Sequence, residues 1–398
     1  MQVEPSALSF DPADAPAETT RIEPRSVSVG LVGTYPPTRC GIATFTASLR
    51  EAMAPLRSGV VALVDEAGAS PFAPEVVAEL VPGSNDSLET AAVALEAFDV
   101  VVVQHEFGIY GGKDGSEVID LVRRLGVPVI VVLHTVLRSP SPRQHAIVEE
   151  LATAAELVVV QSAAARSRLQ ELHEIPARRV RVIPHGASFN LSAPRAGRGP
   201  RRPVVLSWGL LGRGKGIEFG IEALSRLRDL DPAPRYVVHG QTHPHVLAQE
   251  GEAYRNSLIA QARALGVDDL VEFDDGYGNT ASVLAWIREA DVVLLPYRSR
   301  DQVVSGVLVE AIASSRPVVA TRFPHAVELL SDGSGILVPH EDAPAIAAAL
   351  RTLLTDPQAA ARAAAAAQLQ APPFFWENVG HAYRTLAASI TRTQAERR

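Results

Sequence analysis

Two cations, Arg213 and Lys215, interrupt a run of spaced glycines in GLLGRGKGIEFGIEAL, residues 209–224, between an apolar run and an amphipathic stretch. Flexible backbone, positive charge and a helix start together suit a diphosphate clamp, although a solvated turn carrying two cations reads the same way. The spacing lacks G-x-x-x-x-G-K-[ST], so the segment is not a P-loop. Downstream, LLPYRSRDQVVSGVLVEAIASSRPVVAT, residues 294–321, places Ser305-Gly306 at a helix start and Glu310 on its first turns. A carboxylate there can accept hydrogen bonds from both hydroxyls of a vicinal diol such as ribose, and the amides of Ser305, Gly306 and Val307 can face an anion. By itself, Glu310 also fits a surface position. In the first half, TYPPTRCGIATF, residues 34–45, puts Gly41 where backbone amides could approach an anion at a helix N-terminus. An ordinary strand-to-helix turn fits that loop equally well, and it carries no G-x-G-x-x-G. His105-Glu106, His134 and His185 each follow an apolar run. Three histidines at the carboxyl ends of one sheet make a polar cleft floor, and they lack the repeated carboxylate partners of a metal site. The Asp274-Asp275 pair, with no histidine adjacent in sequence, reads as a solvated turn.

The elements that must position these groups are legible as short Val/Ile/Leu runs alternating with longer amphipathic or alanine-rich segments. Runs at Val27, Val60, Val100, Pro128, Leu157 and Val180 predict six strands of one sheet, and runs at Pro203, Arg235, Leu270, Ala290, Pro317 and Gly335 predict a second series. Continuous apolar runs mark strands covered on both faces, as in parallel sheets. The fold class predicted is α/β, two doubly wound Rossmann-like domains facing one another across a cleft, with ligands at the carboxyl ends of the strands. The expected boundaries are a disordered tail over 1–25, an N-terminal domain over 26–192, a Gly/Pro/Arg linker over 193–203 and a C-terminal domain over 204–371. Residues 343–370 are strong helix formers, and residues 372–390 predict a terminal helix that packs on the body of the protein, with 391–398 fraying beyond it.

Composition narrows the function. The chain has 398 residues with 45 acidic and 37 basic side chains, a net charge of −8 and no basic stripe, which argues against general nucleic-acid binding. A single cysteine, Cys40, excludes an internal disulfide framework and a multi-thiolate zinc site. No apolar run approaches the roughly 20 residues that span a bilayer. The N-terminus lacks a basic start and an apolar core, so a cytoplasmic location is expected, and a peripheral membrane contact stays compatible with it.

Taken together, these motifs resemble the retaining glycosyltransferases of the GT4 type, whose fold is called GT-B. The resemblance covers about residues 27–386. It rests on the Pro-Pro-…-Gly loop, VLHT at His134, VIPHG at His185, Lys215-Gly216, and the helix with Glu310 running into EAIASSRPVVAT, which is similar to the family's E-A-x-A-x-G-x-P-V-V-A block. It implies that Lys215 and Gly216 meet a donor diphosphate, that Glu310 meets the ribose, and that His134 lies beside the transferred sugar. Gly41, Ser305, Gly306 and Val307 would complete the donor site, His105 and Glu106 would face the acceptor, and the terminal helix would cross back onto the N-terminal domain. Three positions depart from the pattern: Leu210 stands where an arginine is usual, Gln302 replaces the first of two carboxylates, and Ser315 replaces a glycine. Arg213 is the available substitute for the missing arginine. Asp301 neighbours Gln302 but points elsewhere on an extended backbone.

The activity the resemblance implies is transfer of a hexose, mannose or glucose, from GDP-mannose or UDP-glucose to an acceptor hydroxyl on a carbohydrate or a lipid-linked sugar. Configuration would be retained by front-face attack, and neither cofactor nor metal would be required. A member that binds nucleotide sugar or glycan without turnover, and a nucleotide-sugar epimerase on the same fold, are the alternatives. Leu210 and Gln302 motivate the first of them.

Overall fold

The computed structural model describes residues 27–68, 73–190, 201–276 and 278–397. The expected tail over 1–25 and nearly all of the linker lie outside the described residues. The first half runs β1 (Val29–Thr34), α1 (Gly41–Ala52), β2 (Ser58–Leu63), β3 (Val76–Leu80), α2 (Asn85–Leu95), β4 (Val100–His105), α3 (Glu117–Arg124), β5 (Val129–Leu133), α4 (Pro142–Ala154), β6 (Leu157–Val160), α5 (Ala163–Leu172) and β7 (Val180–Val182). The second runs β8 (Val204–Trp208), α6 (Ile217–Ser225), β9 (Arg235–His239), α7 (Pro244–Glu250), α8 (Ala253–Ala264), β10 (Val271–Asp274), α9 (Thr280–Glu289) and β11 (Val292–Leu295). It continues with α10 (Gly306–Ala313), β12 (Val318–Thr321), α11 (Pro324–Leu330), β13 (Gly335–Val338), α12 (Ala343–Thr355), α13 (Pro357–Gln370) and α14 (Trp376–Arg397).

Both sheets are parallel. The first has seven strands in the order β3-β2-β1-β4-β5-β6-β7, the second six in the order β10-β9-β8-β11-β12-β13. Each order reverses once, between β1 and β4 and between β8 and β11. That reversal opens a crevice at the carboxyl ends of the two central strands. Strands β1, β4 and β5 are buried along their whole length because helices cover both faces.

Three local expectations change. The first sheet has a seventh strand, β3, which lies at the edge and carries the half-exposed Val77 and the charged Glu79, so it offers no continuous apolar run. The helical stretch over 343–370 divides at Pro357, which has no N–H to continue a helix, and Asp356 restarts it by accepting from the amides of Gln358 and Ala359 at 2.9 and 3.1 Å. The end of the chain does not fray at residue 391. Helix α14 reaches Arg397, and the hydroxyls of Thr391 and Thr393 donate to carbonyls one turn back.

Helix α14 buries Val379, Tyr383, Ala387 and Ile390, a stripe at helical spacing, in the same cluster as Leu31, Phe45 and Val102 of the first half. Gly380 allows the close approach: a Cβ there would lie 2.2 Å from the carbonyl oxygen of Ala52 at the end of α1. Where the chain returns, Ala187 donates its amide to the Phe374 carbonyl at 2.7 Å and accepts from the Trp376 amide at 3.0 Å. The two connections between the halves are thus paired to each other.

Candidate active site

The reversal point of the second sheet holds the charged groups. After β8 the chain turns through Gly212–Lys215, with the Lys215 amide donating to the Gly212 carbonyl at 2.8 Å, into Gly216 at φ 63°. Only glycine fits at 216, since a Cβ would sit 2.0 Å from the carbonyl oxygen of Pro296. This contact locks the Lys215 turn onto the end of β11. The Lys215 Nζ lies 3.3 Å from the Tyr297 hydroxyl and 4.3 Å from the centre of that ring. Arg213 turns away from Lys215. Its guanidinium pairs with Glu250 at 2.7 Å, lies over the Tyr254 ring and is exposed. Leu210, in the same turn, is half-buried.

Glu310 sits on α10 and accepts from the indole N–H of Trp208, the last residue of β8, at 3.2 Å. It is reachable by solvent yet surrounded by protein, and this desolvation raises its carboxyl to about 7 against the opposing Trp208 hydrogen bond. The Trp208 N–H meets Oε2 of this carboxyl, which solvent also reaches. Helix α10 is capped by the Ser305 hydroxyl, which accepts from Leu308, but the Ser305 amide is already donated to Nδ1 of His325 at 2.8 Å. Gly306 and Val307 carry the remaining first-turn amides, which have no partners within the helix. Gln302 directs its amide nitrogen to the Val304 carbonyl at 2.9 Å. Asp301 faces outward, 3.7 Å from Arg138.

The first sheet supplies neutral groups. His134, just after β5, donates from Nε2 to the Gln104 amide oxygen at 2.8 Å and accepts at Nδ1 from the Gln161 amide nitrogen at 3.3 Å, which fixes one neutral tautomer. Desolvation, reinforced by His185 and His105, lowers it to about 3. Phe45 lies edge-on to both His134 and His185, at 4.9 and 5.1 Å between ring centres, and touches Trp376 of α14 at 5.3 Å. His185 reaches across to the second half, where a Cβ on Gly306 would lie 2.8 Å from its Nε2. His105, at the end of β4, is fully buried with neither ring nitrogen hydrogen-bonded, and burial lowers it to about 4. Burial raises Glu106, opposed by hydrogen bonds from the Thr135 hydroxyl and the Phe107 amide. Gly41 opens α1, and a Cβ there would meet nothing within 4 Å. The loop therefore does not need glycine for its own packing.

The structure brings Lys215, Glu310, Gly306 and Val307 to one reversal point and His105, Glu106 and His134 to the other. Sequence reasoning missed the groups that hold them: Gln104, Gln161, Trp208, Tyr297 and His325. Four of these were findable, since Gln104, Gln161, Trp208 and Tyr297 stand where apolar strands end, on the ligand-facing edge. A cavity of about 120 Å³ lies at the ends of β2 and β3, lined by Leu80, Tyr110 and Glu117, on the edge that His105 shares. His145, Glu149 and His173 cluster on α4 and at the end of α5, with metal-ligand chemistry but hydrogen bonds already made: His145 with the Leu172 carbonyl, His173 with Glu149. Among the described residues no helix is long and apolar enough to cross a membrane.

Comparison with known proteins places this geometry. Residues 41–191 match the model for Glycosyltransferase Family 4, and residues 202–356 match that for Glycosyl transferases group 1. A D-inositol 3-phosphate glycosyltransferase from Saccharomonospora viridis is 30% identical over 301 residues, covering 69% of this chain and 68% of that protein. An alpha-D-kanosaminyltransferase from Streptomyces kanamyceticus is 30% identical over 258 residues, covering 59% of this chain and 64% of the relative. The chain thus spans about two thirds of the length of these curated relatives. In fold, the Anabaena HepE protein crystallised with UDP superposes with a TM-score of 0.73 at 18% identity, over 91% of this chain and 100% of that one. With two parallel α/β domains, reversal points that carry the motif residues, and these matches across both halves, the chain belongs to the GT4-type glycosyltransferases of GT-B fold.

Proposed function

We propose that this chain transfers a hexose from a nucleotide diphosphate sugar to a hydroxyl of a carbohydrate or lipid-linked acceptor, with retention of anomeric configuration. The observation that carries this reading is the pairing of Lys215 and Glu310 at one strand-order reversal, each pinned by an aromatic residue ending a neighbouring central strand. Lys215 offers positive charge to a diphosphate, and the first-turn amides of Gly306 and Val307 add to it. Glu310 offers a carboxylate to a ribose diol.

In this reading catalysis rests on position and electrostatics. Charge developing on the leaving diphosphate is neutralised by Lys215, and the diphosphate oxygen assists removal of the acceptor proton on the same face. His134, neutral and locked between two glutamines, contributes a ring of fixed orientation beside the sugar rather than a titrating base. Neither a metal nor a cofactor is needed for these roles. Glu106 is the acceptor-side group in this reading, since His105, expected beside it, is fully buried, and the cavity beside β2 and β3 gives a larger acceptor room to extend. Gln302 offers hydrogen bonds where a carboxylate would offer charge.

The UDP held by the Anabaena neighbour makes UDP-glucose the first donor to try, with GDP-mannose second. By the relatives' names, inositol phosphate is the first acceptor to try, and an amino sugar such as the kanosaminyl group is a further candidate for the sugar transferred. Incubating the chain with a donor panel, with and without acceptors, should release nucleoside diphosphate slowly alone and faster with acceptor, and the product's anomeric coupling should match the donor's. Binding without release by any donor would favour a non-catalytic member. A free epimer without acceptor would favour an epimerase.

A further inference from the structure

The loop between β11 and α10 carries Gln302 and runs into Ser305 and Gly306; Tyr297 at its start packs in its own domain, but Val303 and Val304 do not. Val303 is buried in the core cluster of the first half, beside residues such as Val136 and Val160, and Val304 packs against that cluster. Four interdomain hydrogen bonds tie the loop and its neighbourhood to α5. The Ser162 hydroxyl, which caps α5 by accepting from Ala165, donates to the Val303 carbonyl at 2.6 Å. Arg168, one turn further along α5, donates both to the Val136 carbonyl of its own domain at 3.0 Å and to the Asp301 carbonyl at 2.6 Å. Glu328 of α11 accepts from the next two amides of α5, Ala163 and Ala164, at 2.9 and 2.8 Å. The free amides of that first turn are satisfied from the opposite domain, and a carboxylate there also meets the positive end of the helix.

We propose that residues 301–304 form an interdomain peg, clasped by Ser162 and Arg168 and backed by Glu328 of the peg's own domain on the start of α5, that sets the shape of the donor half-site only when the two domains are in contact. The linkage is short. Gln302 donates to the Val304 carbonyl, its own carbonyl accepts from the His325 amide at 3.3 Å, and His325 in turn receives the Ser305 amide, so displacing Val303 displaces the start of α10. Ser162, Arg168 and Glu328 are therefore positioning residues. Their role in donor use rests on the reading that a nucleotide sugar binds at Gly306 and Glu310.

The test uses the full chain with Arg168→Ala and Glu328→Ala combined. Small-angle scattering of the ligand-free protein should show a larger radius of gyration than the parent. With UDP-glucose or GDP-mannose, whichever is turned over, the donor KM should rise about tenfold with kcat changed less than about twofold, because donor binding must first restore the docked peg. Arg168→Lys, which keeps a charged donor nitrogen on a shorter side chain, should recover part of the loss, since a single nitrogen, Nη1, reaches both carbonyls. If the double variant fails to fold, Glu328→Gln, an isosteric change at an exposed position that leaves one acceptor for two amides, should show the same changes in smaller measure. Unchanged scattering overturns the clasp. A fall in kcat at constant KM overturns the positioning role. If no donor is turned over by the parent, the proposed activity fails while scattering still decides the clasp.

Discussion

On the first-half side of the cleft, His105 and His134 are held neutral by burial, at about 4 and about 3, and the side-chain amides of Gln104 and Gln161 hold His134. Across it, Lys215 brings a positive charge and Glu310 a carboxyl raised to about 7, each against one aromatic side chain. Two domains of the same architecture have thus been given opposite electrostatics. A neutral floor suits an uncharged sugar, whereas a diphosphate needs charge. The pH responses also differ in sign. His134 has a depressed value, so its contribution to stability is present above the ordinary histidine value of about 6.5 and is lost as pH falls through its folded value. Glu310 has a raised value, so its contribution is present below the ordinary carboxyl value and is lost as pH rises through about 7.

The most severe challenge to this contrast is Lys215→Ala. Steady-state kinetics should show kcat lower by about 100- to 1,000-fold, with the melting temperature unchanged. Near-normal turnover would mean that the charge sits elsewhere. Next is Glu310→Gln, which replaces one of the two accepting oxygens by a donor and removes the buried charge. Donor affinity, measured by titration calorimetry, should fall about tenfold or more. The ligand-free protein should become more stable by about 1 kcal/mol at pH 8, with little change near pH 5. Equal destabilisation at both values would show that Glu310 is a packing residue. In the parent, donor affinity should tighten between about pH 6 and 8 as the carboxyl ionises, while the depressed His134 should contribute no limb in that range.

Arg213→Ala sharpens the contrast from the other side. Because its guanidinium is exposed and paired with Glu250, activity should drop by less than about fivefold. A loss equal to that of Lys215→Ala would show that Arg213 leaves Glu250 for the diphosphate. The smallest effect is expected of Ser315→Gly. Ser315 ends α10 at φ 53° with a buried hydroxyl that has no partner. Glycine should raise stability by about 1 kcal/mol in thermal melts while leaving kinetics alone.

Much of this was legible in the sequence because buried parallel strands announce themselves. The apolar runs ending at His105, at Leu133 before His134 and at Trp208 gave both the sheets and the ligand-facing edge. Legibility failed where tertiary context outweighs local pattern. Strand β3 escapes the six-strand reading because an edge strand need not be apolar on both faces. Arg213 and Lys215 look equivalent two residues apart, yet a tight turn aims them differently, and the carboxylate that captures Arg213 lies 37 residues away. The Ser305 amide reads as free until α11 brings His325 to it. What holds Lys215 in place is likewise invisible locally, since the need for glycine at 216 comes from the carbonyl of Pro296.

The paired crossing at Ala187 and Phe375 has a mechanical consequence. One covalent tether would leave two bodies free to tumble about a point. Two parallel segments joined by hydrogen bonds restrict that freedom, favouring rotation about an axis along the pair. Opening of the cleft then follows mainly one angular coordinate, and one pair of distance labels placed far from that axis is enough to record it.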